Sequence, residues 1–381
     1  MLKGKAANIN DYFQRGSVSD AVSDSFHRIS IAPRLLHMDV LEQVLMNVSD
    51  PNHGDYGKHW TKQQIGNLIR NDHAIRAIKQ HLKREGAIFL SQTPNGETIE
   101  AKATIRTWSR IFSTAFFEFE SKADKSKKLV RALEYFVPEE LDAHIDSVFG
   151  LVELPPPIYG GNPIMEPIPE SRRHLRSEGI SVDALGYVTP AVFNSVYGIS
   201  SNTGNGLTTQ SALSCIGQSL STSDLTIFQS NFGIPVQGIS SSIGGHVGPN
   251  TCQILGVDNC AEANLDFQYL MGLARNIPTI ALYEENCDYP TFFQSLVTPP
   301  KIISISYASI ESKVGASTVS RFNSVAIQLG VMGVTIVVAS GDDGVAGFDV
   351  RAGRESCAYN PFYPASSPFV LSVGATQVRR P

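Results

Sequence analysis

A stretch rich in proline and glycine divides the chain. Between Leu151 and Gly186, Pro155-Pro156-Pro157, Gly160-Gly161, Pro163, Pro167 and Pro169 remove backbone donors and fix φ, so regular helix or sheet cannot run through. Arg172-Arg173 follows them, so this segment reads as an exposed linker and a site for proteolytic processing, the alternative being an ordinary interdomain tether. Composition changes across it. Residues 1–187 carry 23 Lys/Arg and 24 Asp/Glu, whereas residues 188–381 carry only 8 and 12. The second half is rich in Ser, Thr, Gly and Asn, and a surface so poor in charge does not repel itself when carboxylates protonate in acid. The organisation read from this is a polar segment at 1–25, a first domain at 26–150, a linker at 151–187 and a second domain at 188–381.

At 381 residues and 42% hydrophobic composition the chain can bury at least one sizeable core. A formal net charge of -5 argues against a nucleic-acid partner held by a basic surface. No apolar run reaches the ~18 residues of a membrane span. Met1-Leu2-Lys3-Gly4-Lys5 is not followed by an apolar stretch, so no signal peptide is recognisable. The five cysteines, Cys215, Cys252, Cys260, Cys287 and Cys357, all follow residue 200 and have no zinc-type spacing. They fit one or two disulfides with an odd thiol left over, or buried free thiols. Asn47-Val48-Ser49 is a glycosylation sequon.

In the first domain, Phe26–Ala32 alternates as a strand and Leu36–Val48 repeats as a helix with Leu36, Val40, Leu41, Val44 and Leu45 on one face. Thr61, three residues before Gln64, predicts a capping box. A helix over 72–84 ends at Gly86. Strands near 87–90, 99–101 and 115–119 around a helix at 105–112 complete a small α+β domain with an antiparallel sheet. In the second domain helices are expected at 190–196, 222–232 (with Ser221 as N-cap), 262–273 and 319–329. Strands are expected at 279–283, 302–306 and 334–339. Strand–helix–strand order predicts a doubly wound parallel sheet, with any site beyond the carboxyl ends of its strands.

Two features there carry chemistry. Glu262 and Asp266, four apart on one helix, stack on one face, with Leu265, Leu270 and the residues after them taken as the core side. Two carboxyls held together near a core have their pKa values pushed apart, which equips them for acid–base work. The alternative is a solvated helix face that happens to carry two acids. The second feature is Ser340-Gly341-Asp342-Asp343-Gly344, a glycine-bracketed turn directly after the apolar run Val337-Val338-Ala339. Asp342 or Asp343 there can bind a metal, orient a group or, protonated, donate to an oxyanion; the alternative is an acidic turn capping a strand. No G-x-S-x-G elbow, P-loop or H-E-x-x-H occurs. The one histidine after the linker, His246, sits among glycines and does not suggest a Ser-His-Asp triad. A carboxylate-pair glycosidase is disfavoured because its acids face each other across a cleft rather than one helical turn apart.

Several ordered motifs resemble the sedolisins, the serine-carboxyl peptidases, across nearly the whole chain. Val48-Ser49-Asp50-Pro51 followed by Asp55-Tyr56-Gly57-Lys58-His59-Trp60-Thr61 is similar to the VSDP…YGKHLT signature of their activation prodomain, with Trp60 for leucine. Ala132-Leu133-Glu134-Tyr135, Val137-Pro138 and His144-Ile145-Asp146 resemble the prodomain's end. Val188-Thr189-Pro190 and Val196-Tyr197-Gly198-Ile199 resemble the start of the mature enzyme. Glu262 to Gln268 is similar to the E-x-x-L-D-x-Q helix and Ser340-Gly341-Asp342 to the S-G-D turn. Phe362 to Pro368 and Ser372 to Thr376 are similar to FPAS-x-PYV…SVGGT.

The resemblance implies a subtilisin-like fold, here C-terminally incomplete, preceded by an α+β prodomain. It implies Glu262 as the base acting on a serine, Asp266 as the acid orienting it, and Asp342, protonated at working pH, at the oxyanion hole. It implies cleavage of peptides or proteins in acid, as endopeptidase or tripeptidyl aminopeptidase, with the prodomain as intramolecular inhibitor and a lysosomal or extracellular location. Calcium is implied for the full-length family, its site lying outside this chain. The family's serine belongs to a G-T-S-A-S motif beyond SVGGT, and this sequence stops at Pro381, so it reads as truncated before the nucleophile and not itself competent. An incomplete sheet is expected to expose strand edges prone to aggregation. The alternative is a non-catalytic fragment whose prodomain inhibits, or helps to fold, an intact paralogue. Continuation of the coding sequence to a Gly-Thr-Ser motif separates the two.

Overall fold

The computed structural model describes residues 2–6, 12–122, 125–155, 159–160, 188–351, 353 and 356–375. The expected processing site within 166–187, including Arg172-Arg173, lies outside these residues.

The N-terminal half contains, in chain order, β1 (Leu2–Lys5), β2 (Phe13–Gly16), β3 (Phe26–Pro33), α1 (Met38–Ser49), α2 (Lys62–Ile69), α3 (Asp72–Arg84), β4 (Ile88–Gln92), β5 (Ile99–Thr104), α4 (Ile105–Ile111), β6 (Phe116–Ser121), β7 (Lys128–Ala132), β8 (Glu134–Phe136) and β9 (Ile145–Phe149). Strands β4-β5-β3-β9 form an antiparallel sheet, as the alternation predicts. Ile29, Ile31, Ile78, Leu82, Ile99 and Trp108 make its core. Thr61 accepts from the Gln64 amide while the Gln64 side chain accepts from the Thr61 amide, completing the capping box. The α1 face is the expected one at Leu41, Val44 and Leu45 and departs from it at Leu36 and Val40. Leu41, Leu45 and Val48 are buried, whereas Leu36 precedes the helix and Val40 points outward, because the stripe that matters faces another domain. The polar segment before residue 26 joins this domain, since β1 pairs with β8 and β2 with β6.

The linker contributes β10 (Tyr159–Gly160). Beyond it come α5 (Pro190–Val196), β11 (Gln210–Ser214), α6 (Thr222–Asn231), β12 (Ser241–Ile243), α7 (Ala261–Leu273), β13 (Thr279–Tyr283), α8 (Tyr289–Ser295), β14 (Ile302–Ile305), β15 (Tyr307–Ile310), α9 (Ala316–Val331), β16 (Thr335–Ala339), β17 (Phe362–Tyr363) and β18 (Leu371–Val373). The order β12-β13-β11-β14-β16-β18 is a six-stranded sheet, parallel throughout. The fold is α/β with a doubly wound parallel sheet. Ala212 of β11 faces Phe267 and Met271 of α7, while the next residue, Leu213, faces the layer holding Phe322, Val325 and Ala326 of α9. From β11 the chain runs outward to β12, returns to β13 and then crosses to β14 on the other side. That reversal is where parallel sheets open a crevice at their carboxyl ends. Among the described residues no helix is long and apolar enough to cross a membrane.

The two halves share a core. Leu41, Leu45, Ile65 and Ile69 of α1 and α2 pack on Ile327 and Val331 of α9. Gly330 makes room for this, since a Cβ there would meet Leu45 Cδ1 at 2.5 Å. Lys62 Nζ donates to the Gln294 carbonyl at 2.9 Å. Arg321 of α9 donates to Thr98 Oγ1 at 2.8 Å and lies 4.5 Å from the Phe149 ring centre.

Candidate active site

Helix α7 runs back from β12 to β13, so its first turns stand at the carboxyl ends of the strands. Glu262 and Asp266 occupy those turns. Their face of the helix, with Ala263, Phe267 and Met271, is the inward one, and Leu265 is exposed. The expected core side of α7 holds at Leu270, which packs against the core, and at Met271, and is corrected at Leu265; Glu262 joins the buried face and Asp266 is half-buried beside it. The solvated-face alternative fails with it, since Glu262 is only 7% exposed.

The start of α7 is tied down from two sides. Cys252–Cys260 ends at the residue before the helix, and the Glu262 amide donates to Gln218 Oε1 at 3.2 Å. A second disulfide, Cys215–Cys287, joins the loops after β11 and β13. Cys357 is free and exposed. Of the two cysteine readings, the disulfide one describes the molecule. Ser221 precedes α6 as expected but does not cap it: its hydroxyl pairs with Ser223 while Asn264 Oδ1 takes its amide.

Burial is the main electrostatic fact about the pair. Desolvation, then the Asp266 and Asp342 charges, push the Glu262 carboxyl up to about 8. Desolvation pushes Asp266 up to about 7, opposed by a hydrogen bond donated from Ser306 Oγ to Oδ1 at 2.6 Å. Glu262 Oε2 and Asp266 Oδ2 are buried and have no partner among the described residues. The Ser214 hydroxyl approaches the Tyr307 phenol beside them, without either completing a hydrogen bond of good geometry. A half-shielded carboxyl pair with spare acceptor positions can take a proton from a third group placed against it.

Asp342 follows β16 in the turn that Gly341 makes possible at φ 97°, and its charge reaches Glu262. The structure thus gathers Glu262, Asp266 and Asp342 at one end of the sheet. Asp343 is not part of this group, since its carboxylate is bound by Arg351 Nε at 2.7 Å. Ser306, Tyr307, Ser214 and Gln218 are neighbours that sequence reading did not single out. Ser306 alone carried a signal, as the last residue of an expected parallel strand.

The linker comes to the same place. β10 pairs antiparallel with β15, Tyr159 opposite Ala308 and Gly160 opposite Tyr307, one residue beyond Ser306. An extended chain is therefore already added to the sheet edge beside the acid pair.

Among known proteins, residues 16–154 match the family described as the pro-kumamolisin activation domain. Tripeptidyl-peptidase SED2 of Arthroderma otae is 27% identical over 373 residues, 88% of this chain and 61% of that protein. Physarolisin of Physarum polycephalum is 27% identical, covering 94% of this chain and 61% of that protein. Tripeptidyl-peptidase 1 of Dictyostelium discoideum is 28% identical, covering 88% and 59%. The chain thus spans about three fifths of the length of these curated relatives. A solved Pseudomonas sedolisin aligns with 49% of this chain and 52% of its own at 24% identity, with a TM-score of 0.39. Residues 16–154 are thus similar to a pro-kumamolisin activation domain, and the chain as a whole is similar to tripeptidyl-peptidases and physarolisin over most of its length.

Proposed function

We propose that this chain is the proenzyme portion of a serine-carboxyl peptidase that cleaves peptide bonds in acid, by internal cutting or by removal of N-terminal tripeptides. Glu262 acts as the base toward a seryl hydroxyl, Asp266 holds and polarises Glu262, and Asp342 donates to the oxyanion. The observation that carries this reading is the buried Glu262–Asp266 pair, one helical turn apart, within reach of the Asp342 charge. The matched relatives, three of them named as tripeptidyl-peptidases or physarolisin, support the reaction class.

The activation domain acts as an intramolecular inhibitor in this reading. Its shared core with α9 and the linker strand lying on β15 support that role. The two disulfides fit an oxidising compartment such as the lysosome or the outside of the cell. Calcium does not fit the residues present: no three His, Cys, Asp or Glu come together as a metal site among the described residues, so no step is routed through it.

The Gly-Thr-Ser-Ala-Ser motif in which the resemblance would place the nucleophile does not occur within these 381 residues, which span about three fifths of the relatives' length. We infer that this chain alone does not turn over peptides. Fluorogenic tripeptidyl amides and internally quenched peptides at pH 3–6 test it. The chain as given is expected to be silent, and extension through a Gly-Thr-Ser segment is expected to restore turnover that Glu262→Gln removes. Turnover that survives Glu262→Gln would overturn the assignment.

A further inference from the structure

We propose that Ser306 is a positioning residue of the acid pair: its hydroxyl makes Asp266 the first of the two carboxyls to ionise and so leaves Glu262 as the one that holds and exchanges the proton. This rests on the reading of Glu262 and Asp266 as the proton-transfer centre, and it adds the device that decides which of two adjacent acids is the base.

The geometry is specific. Ser306 Oγ lies 2.6 Å from Asp266 Oδ1, and a hydroxyl has a single proton to donate. Ser306 sits between β14 and β15 and cannot drift. Ile305 before it and Tyr307 after it are buried, and the Tyr307 carbonyl accepts from the Tyr289 hydroxyl at 2.7 Å. The register of β14 against β11 and β16 holds the strand on both sides. A donor fixed on one backbone and aimed at an oxygen on another helix favours the charged form of that oxygen.

Without such a bias the pair is ambiguous. Glu262 and Asp266 stack on one face, share a low-dielectric setting, and relieve each other by retaining one proton. A proton on Asp266 would leave Glu262 a weaker proton acceptor, raised by burial and the Asp342 charge but without the adjacent Asp266 charge. An anionic Asp266 does the reverse and strengthens Glu262 as a proton acceptor. The other titratable groups around Asp266 are Tyr307 on β15 and, through Glu262, Asp342 after β16. Neither donates to an Asp266 oxygen, and Asp266 Oδ2 has no partner among the described residues. Ser306 also adjoins the residues of β15 that pair with the linker strand, so the same short segment aligns an extended chain and orders the acids.

The test is a carboxyl carbon-13 NMR titration of the whole chain, with Asp266 and Glu262 assigned by loss of signal in Asp266→Asn and Glu262→Gln. Ser306→Ala is expected to raise the Asp266 midpoint by about one pH unit and to narrow its separation from Glu262. Ser306→Thr and Ser306→Val differ by a hydroxyl at equal shape, so the threonine is expected to titrate as wild type and the valine as alanine. This pair also decides the matter if the alanine variant does not fold. Identical Asp266 midpoints in the threonine and valine variants overturn the proposal. If both midpoints lie near ordinary carboxyl values in the wild type, the proton-transfer reading itself fails. If they are raised but indifferent to Ser306, only this inference fails.

Discussion

The Tyr12 phenol oxygen lies 3.0 and 2.9 Å from the two carboxylate oxygens of Asp349, across 337 positions of sequence. Asp349 is fully buried and accepts a charge-assisted hydrogen bond from Lys313 Nζ. The N-terminal segment of the activation domain thus closes over a buried ion pair of the second domain, a few residues beyond the Asp342 turn.

Breaking that cluster is costly in proportion to the charge it strands. Lys313→Met removes one charged partner from the fully buried Asp349 and is expected to destabilise the chain by about 3 kcal/mol. Tyr12→Phe removes one hydrogen bond to a charged group and is expected to cost about 1–2 kcal/mol. Urea unfolding followed by tryptophan fluorescence checks both, and a loss in Tyr12→Phe as large as that in Lys313→Met would mean that the ion pair does not dominate the cluster.

The shared core between the halves has its own signature. Leu45→Ala empties a site packed against Gly330 and Val331 and is expected to cost about 2–4 kcal/mol. Gly330→Ala places a methyl group within 2.5 Å of Leu45 Cδ1 and is expected to weaken the same contact from the other side. After cleavage of the linker, both variants should release the activation domain at lower urea than wild type, measured by size exclusion. Retention equal to wild type would mean that the core at α1, α2 and α9 does not hold the halves together.

Reduction acts on the end of the sheet where the acids lie. Cys215–Cys287 closes 72 residues and its loss is expected to cost about 2–5 kcal/mol; Cys252–Cys260 closes only 8 and is expected to cost less. Melting temperature with and without reductant for Cys215→Ala/Cys287→Ala and Cys252→Ala/Cys260→Ala ranks them. Native alkylation without reductant should label Cys357 alone.

Much of this architecture is written locally in the sequence. The capping box at Thr61, the helix over 72–84 and the four-residue spacing of Glu262 and Asp266 each depend on neighbours a few positions away. The turn at Asp342 was legible because a glycine pair breaks an apolar run. The central strand β11 was not. Gln210-Ser211-Ala212-Leu213-Ser214 looks polar, yet it is wholly buried because its polar groups find distant partners. Gln210 Nε2 donates to Thr279 Oγ1 at 3.1 Å and Ser211 Oγ to the Ile302 carbonyl at 3.0 Å. Ser306 was hidden for the same reason, since its meaning comes from an aspartate 40 positions earlier. The stripe of α1 was legible at Leu41, Val44 and Leu45; that it packs on Ile327 and Val331 of α9, a helix in the other domain, was not.

The raised carboxyls predict how stability depends on pH. Folded Glu262 and Asp266 keep protons that the unfolded chain releases near pH 4, so their burial costs nothing in acid. The cost grows as pH climbs from about 4 to about 8 and is constant above that. Glu262→Gln cannot ionise, so its stability relative to wild type should rise by ~4 kcal/mol between pH 4 and pH 8. Thermal unfolding at both pH values measures this.

The most direct measurement is the Glu262 midpoint itself, read by carboxyl carbon-13 NMR in the wild type and in Asp266→Asn. The account predicts a wild-type midpoint far above the ordinary glutamate range. It also predicts a fall in Asp266→Asn, where one repelling charge is gone, to a value still raised by burial. A wild-type midpoint near 4.5, or one that Asp266→Asn leaves unchanged, would contradict it.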